Sequence, residues 1–169
     1  VSTAAPALAF NDLYVDQANP ACPGSGTELD PYCTIQAALD ASLDGDLILV
    51  APGQYTECVI IEMRQVTVRA TAGPSQTTIH AGGQGSALTF RNPNGTEPEV
   101  EGFTLTGGVG TGGRGGGVYI DNASPTLRDC LISNNHTAGR GGGVYARNLS
   151  DLTMIACHVI GNSSQIDGG

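Results

Sequence analysis

The chain has 169 residues, which is enough for one domain and, with 40% apolar residues, for a hydrophobic core. Its 25 glycines, the absence of Trp and the frequent Val, Ile, Thr and Ser are typical of an all-β chain with many turns. The net charge is −9 and all seven basic residues are Arg, which excludes the clustered positive charge that binds nucleic acids or anionic membranes. No segment approaches the ~20 apolar residues of a membrane-spanning helix.

The first 46 residues are predicted to form an N-terminal region that precedes the repeats. Residues 1–9 are expected to be a flexible tail or the remnant of a signal peptide, because Ala7-Leu8-Ala9 has the small residues of a cleavage site. Residues 10–46 are expected to contain an edge strand at 12–16, a loop and a helix.

The predicted helix lies in the segment TIQAALDASLDGD, which starts at Thr34. Thr34 is a suitable N-cap, and Ile35, Ala38, Leu39 and Leu43 would lie on one apolar face. Because an open stack of strands exposes apolar side chains and unpaired strand edges, we expect this helix to cover its first end.

The five cysteines leave at least one thiol unpaired. Cys22 and Cys33 flank a loop rich in Gly, Pro and Asp, and we predict a disulfide between them in an exported protein. Cys58 is the alternative partner for either residue, because connectivity does not follow from sequence alone.

Residues 47–169 contain a repeat. Three segments that start at Val100, Leu127 and Met154 share three apolar columns, each separated from the next copy by 27 positions. The columns are Val100/Leu127/Met154, Phe103/Cys130/Cys157 and Leu105/Ile132/Val159. The apolar alternation slips by one position between the first and second columns, which predicts a bend between two short strands.

A second repeated element, GRGGGVY, occupies 113–119 and again 139–145. GGVYIDN and GGVYARN continue as strands, and SALTFRN from Ser86 is a weaker earlier copy. Each period therefore holds about three short strands, and winding them into a coil places like residues ~4.8 Å apart in parallel pairs. We predict an all-β, right-handed parallel β-helix of about five to six coils, open at its C-terminal end.

Two families resemble parts of this sequence. The segments GDLILVAPGQYTECVIIEMRQVTVRAT and TTIHAGGQGSALTF resemble the first coils of the pectate-lyase-like superfamily. GGVY, with Ile132 to Asn135 and Val159 to Asn162, resembles the repeats of polymorphic outer membrane proteins. The superfamily resemblance implies a parallel β-helix with an N-terminal helical cap, and it raises the hypothesis of polysaccharide cleavage.

The outward columns do not have the pattern that a calcium-dependent lyase requires, which is several carboxylates on adjacent strands and a basic residue. Glu101 stacks on Arg128, with which we predict a surface ion pair, and then on Ile155. Asp129 stacks between Gly102 and Ala156. We therefore expect no catalytic residues, no cofactor and no metal site.

Arg114 and Arg140 share one position of the repeated turn and are the candidate ligand-binding residues. Stacked guanidinium groups can bind the carboxylate or sulfate groups of a polysaccharide, and the alternative is two solvated charges. The glycines around them are expected to serve the shape of the turn.

Two further sets of stacked residues follow from the repeat. Asn135 with Asn162, and Asn122 with Asn148, suit ladders of hydrogen-bonded amides. Cys130 and Cys157 are predicted to be small buried core residues.

These observations favour a non-catalytic, extracellular or cell-surface domain for adhesion, carbohydrate contact or scaffolding. One alternative is a fragment of a polysaccharide lyase or hydrolase. Another is a structural module that forms a homo-oligomer through its C-terminal coil. Polysaccharide is the expected partner, with neither nucleic acid nor membrane insertion.

Overall fold

A computed structural model of the protein describes residues 11–91, 96–110 and 112–169. The predicted tail, residues 1–9, lies outside the described residues. In chain order the elements are β1 (Asp12–Val15), α1 (Ile35–Ala41), β2 (Leu47–Val50), β3 (Gly53–Tyr55), β4 (Val59–Glu62), β5 (Thr67–Ala70), β6 (Thr77–His80), β7 (Leu88–Arg91), β8 (Glu99–Glu101), β9 (Thr104–Thr106), β10 (Val118–Asp121), β11 (Thr126–Arg128), β12 (Leu131–Ser133), β13 (His136–Thr137), β14 (Val144–Arg147), β15 (Thr153–Ile155), β16 (His158–Ile160) and β17 (Ser163–Ser164).

The strands form three long parallel sheets that run along the axis of a solenoid. Sheet A has the order β1-β2-β5-β8-β11-β15, sheet B has β3-β6-β9-β12-β16, and sheet C has β4-β7-β10-β14. β13 and β17 form a fourth, two-stranded sheet. One strand from each long sheet makes a coil, and the described residues contain four complete coils and the first two long strands of a fifth. The predicted parallel β-helix is thus confirmed, with fewer complete coils than expected.

The register of the sheets is the one that the apolar columns predict. Leu127 pairs with Val100 on one side and with Met154 on the other, and Ile132 lies between Leu105 and Val159. The side chains of these columns point into the coil, where Val100, Leu127, Leu105 and Ile132 are buried. Burial of each such aliphatic side chain stabilises the fold by about 1.5–3 kcal/mol, and this burial is the main contribution to the stability of the stack.

The predicted bend between sheets A and B lies at a column of left-handed residues. Gly102, Asp129 and Ala156 have φ values of 82°, 47° and 53°. A single residue in this conformation turns the chain sharply, so that the residue after it points inward again. This conformation explains the slip of the alternation in the sequence.

The helix α1 covers the first coil, as the resemblance implied. The Thr34 hydroxyl oxygen accepts a hydrogen bond from the Ala37 N–H at 3.2 Å, and Ile35, Ala38 and Leu39 are buried. The prediction that Leu43 belongs to this buried face is wrong, because its side chain is 57% exposed. The helix ends at Ala41 because Ser42 is extended and its hydroxyl donates to the Leu39 carbonyl.

Within the described residues, no preceding coil pairs with the strands of the first coil, and three different groups make hydrogen bonds to their outer edges instead. β1 pairs with β2 in sheet A. The Gln36 side chain accepts from the Ile60 N–H (2.8 Å) and donates to the Ile60 carbonyl (3.2 Å), on the free edge of β4. In the amide orientation that satisfies both partners, Gln17 bonds the N–H and carbonyl of Gln54 on the free edge of β3. Two glutamine amides thus replace the missing neighbouring strands.

The loop before the helix contains the predicted disulfide. Cys22 and Cys33 are bonded, with their Cα atoms 5.7 Å apart. Cys58, the alternative partner, is a free thiol. Within the described ranges, no helix is long and apolar enough to cross a membrane.

The fifth coil is less buried than the others. Val159 is 42% exposed, whereas Ile132, its neighbour in the same column, is 0% exposed. Met154, Ile155 and Ile160 are also exposed. A solenoid residue is covered by the coils on both sides of it, and the described residues cover this coil on one side.

Candidate functional site

The repeated glycine-arginine turns form a ladder beside sheet C. The backbone of Arg140 forms one parallel β-bridge with the backbone of Arg114 and another with that of Asp167. The Arg140 N–H donates to the Gly113 carbonyl at 3.0 Å, and the Gly115 N–H donates to the Arg140 carbonyl at 3.1 Å. The two candidate arginines therefore occupy equivalent positions on adjacent coils.

Close approach of neighbouring turns explains the glycines in this ladder. A Cβ atom on Gly139 would lie 1.9 Å from the Gly113 carbonyl oxygen, and one on Gly117 would lie 2.6 Å from the Gly143 carbonyl oxygen. No side chain fits at these distances. The repeated glycines therefore serve the packing of turn on turn.

The two arginine side chains have different partners. Arg140 forms an ion pair with Asp167 at 3.2 Å, and both side chains are largely exposed. The Arg114 guanidinium carbon lies 5.9 Å from the centre of the Tyr145 ring, a cation–π contact. Among the described residues, no carboxylate lies within ion-pair distance of Arg114. Arg114 therefore keeps its donors available at the surface.

Tyr145 belongs to an aromatic stack that crosses two coils. Its ring lies parallel to that of Tyr119, with an interplanar angle of 1° and 6.1 Å between centroids. Arg147 lies over Tyr119, at 5.6 Å from the ring centre, and donates to Asp121 at 2.5 Å. The repeated GGVY contains both tyrosines in register, and this outward column was a signal that sequence reasoning did not use.

The electrostatics of this face follow from burial and from Arg147. Burial raises the pKa of the Tyr119 phenol, so the phenol stays neutral. The hydrogen bond from the Arg147 guanidinium lowers the pKa of the Asp121 carboxyl, so the carboxyl stays ionised. Arg147 is thus paired, whereas Arg114 is not.

A surface groove of about 500 Å³ runs between the turns. Arg114, Arg140, Ile166 and the glycines of the two turns line it. Its polar character comes from the two guanidinium groups, whose planar donors match carboxylates. The groove can therefore hold an anionic group at Arg114, and at Arg140 where that group replaces Asp167.

Asn135 and Asn162 form an amide ladder inside the solenoid. The Asn135 amide nitrogen donates to the Asn162 side-chain oxygen at 3.0 Å and to the Leu105 carbonyl at 2.9 Å. Its oxygen accepts from the Gly108 N–H at 2.9 Å, and the Asn162 amide nitrogen donates to the Ile132 carbonyl at 2.9 Å. These asparagines satisfy buried backbone groups where the chain turns.

Asn122 and Asn148 take equivalent places but do not follow the predicted ladder. Both have left-handed backbones, with φ of 54° and 56°, and both are exposed. The Asn148 amide donates to the Asp121 carboxylate at 2.7 Å rather than to Asn122. Asn suits these positions because it tolerates the left-handed conformation.

The two carboxylates of β8, Glu99 and Glu101, are paired with arginines of neighbouring coils. Glu101 pairs with Arg69 at 2.6 Å, and Arg128 pairs with Glu99 at 2.5 Å. The predicted pair of Glu101 with Arg128 is therefore wrong, because Glu101 lies between two arginines in the register and Arg69 takes it. Within the part of the chain that the structure describes, no three His, Cys, Asp or Glu residues are grouped as metal ligands.

Cys130 and Cys157 are free thiols in one inward column. Cys130 is buried, and Cys157 is half-buried and packs against the core from the fifth coil. Cys130 thus matches the predicted core position, and Cys157 is covered on one side.

Three comparisons place the chain among known proteins. No protein-family model matches it. It is 27% identical over 106 residues to a cell surface glycoprotein of Methanothermus fervidus, which is 62% of this chain and 15% of that protein's length. A pectin methylesterase mutant, solved in complex with a hexasaccharide, superposes on 90% of this chain and 50% of its own length, with a TM-score of 0.59 and 13% identity.

The structural likeness shows the fold: the chain is a parallel β-helix of the kind that the pectate-lyase-like resemblance predicts. The chain spans about half of that solved structure and a smaller part of the glycoprotein.

Proposed function

We propose that this chain is a non-catalytic β-helix module, displayed outside the cell, that contacts acidic polysaccharide through Arg114. The observation that carries the proposal is the Arg114 guanidinium, which has no ion-pair partner among the described residues and is held over the Tyr145 ring beside the groove. A guanidinium in this position can donate two parallel hydrogen bonds to a carboxylate. Arg140 supplies a second contact one coil away if the ligand displaces Asp167.

The comparisons support the setting of this proposal. The similar glycoprotein is named for the cell surface, and the solved esterase holds a hexasaccharide. The disulfide of Cys22 and Cys33 suits an oxidising, extracellular location. We further propose that residues 10–46 form the capping region and residues 47–169 the coils that present the ligand surface.

The net charge of −9 limits how this contact works. The whole molecule repels a polyanion, so attraction comes from the local positive potential of Arg114 and Arg140. Interactions between exposed charges are screened over roughly 8–10 Å at physiological salt. Binding is therefore expected to be weak and to decrease as salt increases.

The decisive experiment compares the binding of polygalacturonate and of neutral amylose by calorimetry at low and moderate salt. Arg114→Gln is expected to weaken polygalacturonate binding by about tenfold, the loss of one charge-assisted contact. Arg69→Gln, which removes an arginine paired on sheet A, is the matched control and should bind as the parent does.

Two results would overturn the proposal. Equal affinity of Arg114→Gln and the parent would remove Arg114 from the contact. The appearance of an unsaturated product that absorbs ultraviolet light would replace the non-catalytic role with lyase activity.

A second candidate function, self-association, is favoured by the exposed apolar side chains of the fifth coil, among them Val159 and Ile160. The occupant that we propose is a second copy of this chain, whose exposed strand edges can pair with the same edges of the first. Sedimentation of residues 1–169 should show dimers that Ile160→Asp abolishes. A monomer at every concentration tested would contradict this candidate.

A further inference from the structure

We propose that Cys130 and Cys157 form a two-coordinate site for a soft monovalent metal ion, Cu(I) by preference. The two thiols lie in one inward column on adjacent coils and are free. Thiolate sulfur is the ligand type that selects Cu(I) over the harder cations.

The sulfur atoms occupy equivalent positions in their coils. The Cys130 sulfur lies 3.1 Å from the Arg128 carbonyl oxygen and 3.7 Å from that of Val100. The Cys157 sulfur lies 3.4 Å from the carbonyl oxygens of Ile155 and Leu127. Each thiol therefore contacts the carbonyl two residues before it and the carbonyl thirty residues before it. The two side chains therefore have similar orientations, and their sulfurs occupy corresponding places on adjacent coils.

We infer the distance between the sulfurs from this correspondence. Equivalent atoms on adjacent parallel strands are about 4.7–4.9 Å apart. A metal–sulfur bond of ~2.3 Å, the length found in zinc–thiolate sites, places two sulfurs about 4.6 Å apart when the ion lies on the line between them. A disulfide instead requires an S–S distance near 2.05 Å and Cβ atoms about 3.8 Å apart, which this stacking opposes. The ladder is thus spaced for a linear sulfur–metal–sulfur unit.

An ion can reach the pair from the side of Cys157, which is half-buried, whereas the Cys130 side chain is buried. A groove of about 480 Å³ lies at the bend between sheets A and B, lined by Asp129, His158 and the Cys130 segment. Asp129 gives this groove a negative charge that attracts cations. A linear two-coordinate ion needs no third ligand, so the absence of a larger cluster among the described residues does not oppose the site.

Binding is balanced without a redox step. One Cu(I) ion replaces the protons that the two sulfurs carry, two metal–sulfur bonds form, and those protons pass to solvent. The complex carries one negative charge. The Cys130 sulfur lies in the buried column, and the half-buried Cys157 side leaves this charge partly solvated. No oxidant or reductant is consumed.

The test uses the whole chain, purified without reductant, and Ag(I) as a redox-stable probe alongside anaerobic Cu(I). Native mass spectrometry should show one ion bound in the parent, and calorimetry should show a single stoichiometric binding event. Cys58→Ser, which removes the separate free thiol, is the matched control and should bind one ion as the parent does.

Cys157→Ser and Cys157→Ala should lose this stoichiometric ion and the accompanying rise in melting temperature, which binding to the folded state produces. Cys157 is half-buried, so both variants are expected to fold, and Cys130→Ser provides a third comparison. Undiminished binding in the Cys157 variants would overturn the proposal. A Cys130–Cys157 disulfide found by peptide mapping would do so as well.

Discussion

At the scale of single residues, Asn135 shows how a side chain stabilises the turn between sheets. Its amide bonds the Leu105 carbonyl in β9 and the Gly108 N–H in the turn that follows, and both hydrogen bonds are buried. A buried polar group left without a partner costs about 1–3 kcal/mol. Asn135 thus stabilises the bend more through the groups that it satisfies than through its own burial.

Asn135→Ala is therefore expected to lower the free energy of unfolding by about 2–4 kcal/mol, because two backbone groups lose their partner. Urea unfolding followed by circular dichroism measures this change. Asn148→Ala, which removes an exposed amide bonded to Asp121, should cost less than about 1 kcal/mol. Equal losses in the two variants would show that the ladder does not stabilise the turn.

Tyr55 gives the fold a dependence on alkaline pH. Its hydroxyl donates to the Ala51 carbonyl at 2.9 Å, the ring is buried, and burial raises its pKa to about 12 from an ordinary value of 10.0. A raised pKa means that the folded state favours the protonated phenol. Its contribution to stability is complete below pH 10 and is lost as the pH rises through 12.

The difference in unfolding free energy between the parent and Tyr55→Phe should accordingly fall across this interval. Phe has no ionisable group, so the subtraction removes the titration of other residues. Denaturant unfolding at several pH values from neutral to alkaline measures it. A difference that stays constant with pH would contradict the role of Tyr55 ionisation.

At the scale of elements, the strand edges of the first coil are capped by side-chain amides, which make the hydrogen bonds that a neighbouring strand would make. Gln36 lies on the N-terminal helix, yet its amide pairs with Ile60 as a backbone group of a neighbouring strand would. The helix thereby covers the core with Ile35 and closes the edge of β4 with Gln36. An edge closed in this way is a poor template for strands of other molecules.

Gln36→Ala is expected to destabilise the protein by about 1–2 kcal/mol, the typical loss of a pair of hydrogen bonds at a partly exposed edge. Hydrogen exchange should show faster exchange of the Ile60 amide, which loses its acceptor. Gln84→Ala, at an exposed turn, is the control and should leave both quantities unchanged. Unchanged protection of Ile60 would mean that the side chain does not cap this edge.

The contacts between strands also show which features the sequence pattern predicts and which it does not. The columns at Val100, Leu127 and Met154 predicted the coil register because repeat period and side-chain alternation determine which residues stack. The ion pairs did not follow from those columns. Glu101 lies between Arg69 and Arg128, and the choice between them depends on side-chain packing. The glutamine caps join residues far apart in sequence, for which one sequence has no repeat to reveal the contact.

At the scale of the whole molecule, burial varies along the solenoid axis. An inner coil is covered by a neighbouring coil on each side, so its inward side chains are buried. The equivalent side chains of the fifth coil are partly exposed. Residues of the same apolar column therefore contribute different amounts to the free energy of unfolding. Ile132 and Val159 are the pair that tests this relation.

Ile132→Ala is expected to cost about 2–5 kcal/mol through lost burial and a cavity. Val159→Ala should cost about 1 kcal/mol or less, because its side chain is already in contact with water. Urea unfolding under conditions where the chain is monomeric measures both. Equal costs would indicate that the fifth coil is covered in solution, as self-association would produce.

The candidate site shows the same division between pattern and packing. The repeated GRGGGVY placed Arg114 and Arg140 in one ladder from sequence alone, because identical turns one coil apart must stack. Their chemical difference did not follow from the repeat. Asp167 lies beside Arg140, and Tyr145 lies beneath Arg114, and both partners come from the neighbouring coil.

The sequence by itself determined the parallel β-helix, the columns of its core and the stacking of its turns, because a repeat period with in-out alternation admits one way to bury the apolar residues. Only the tertiary structure decided which of Arg114 and Arg140 has a carboxylate partner and which amides close the strand edges. These features depend on distances between side chains of different coils, and such distances exist only after the coils have packed.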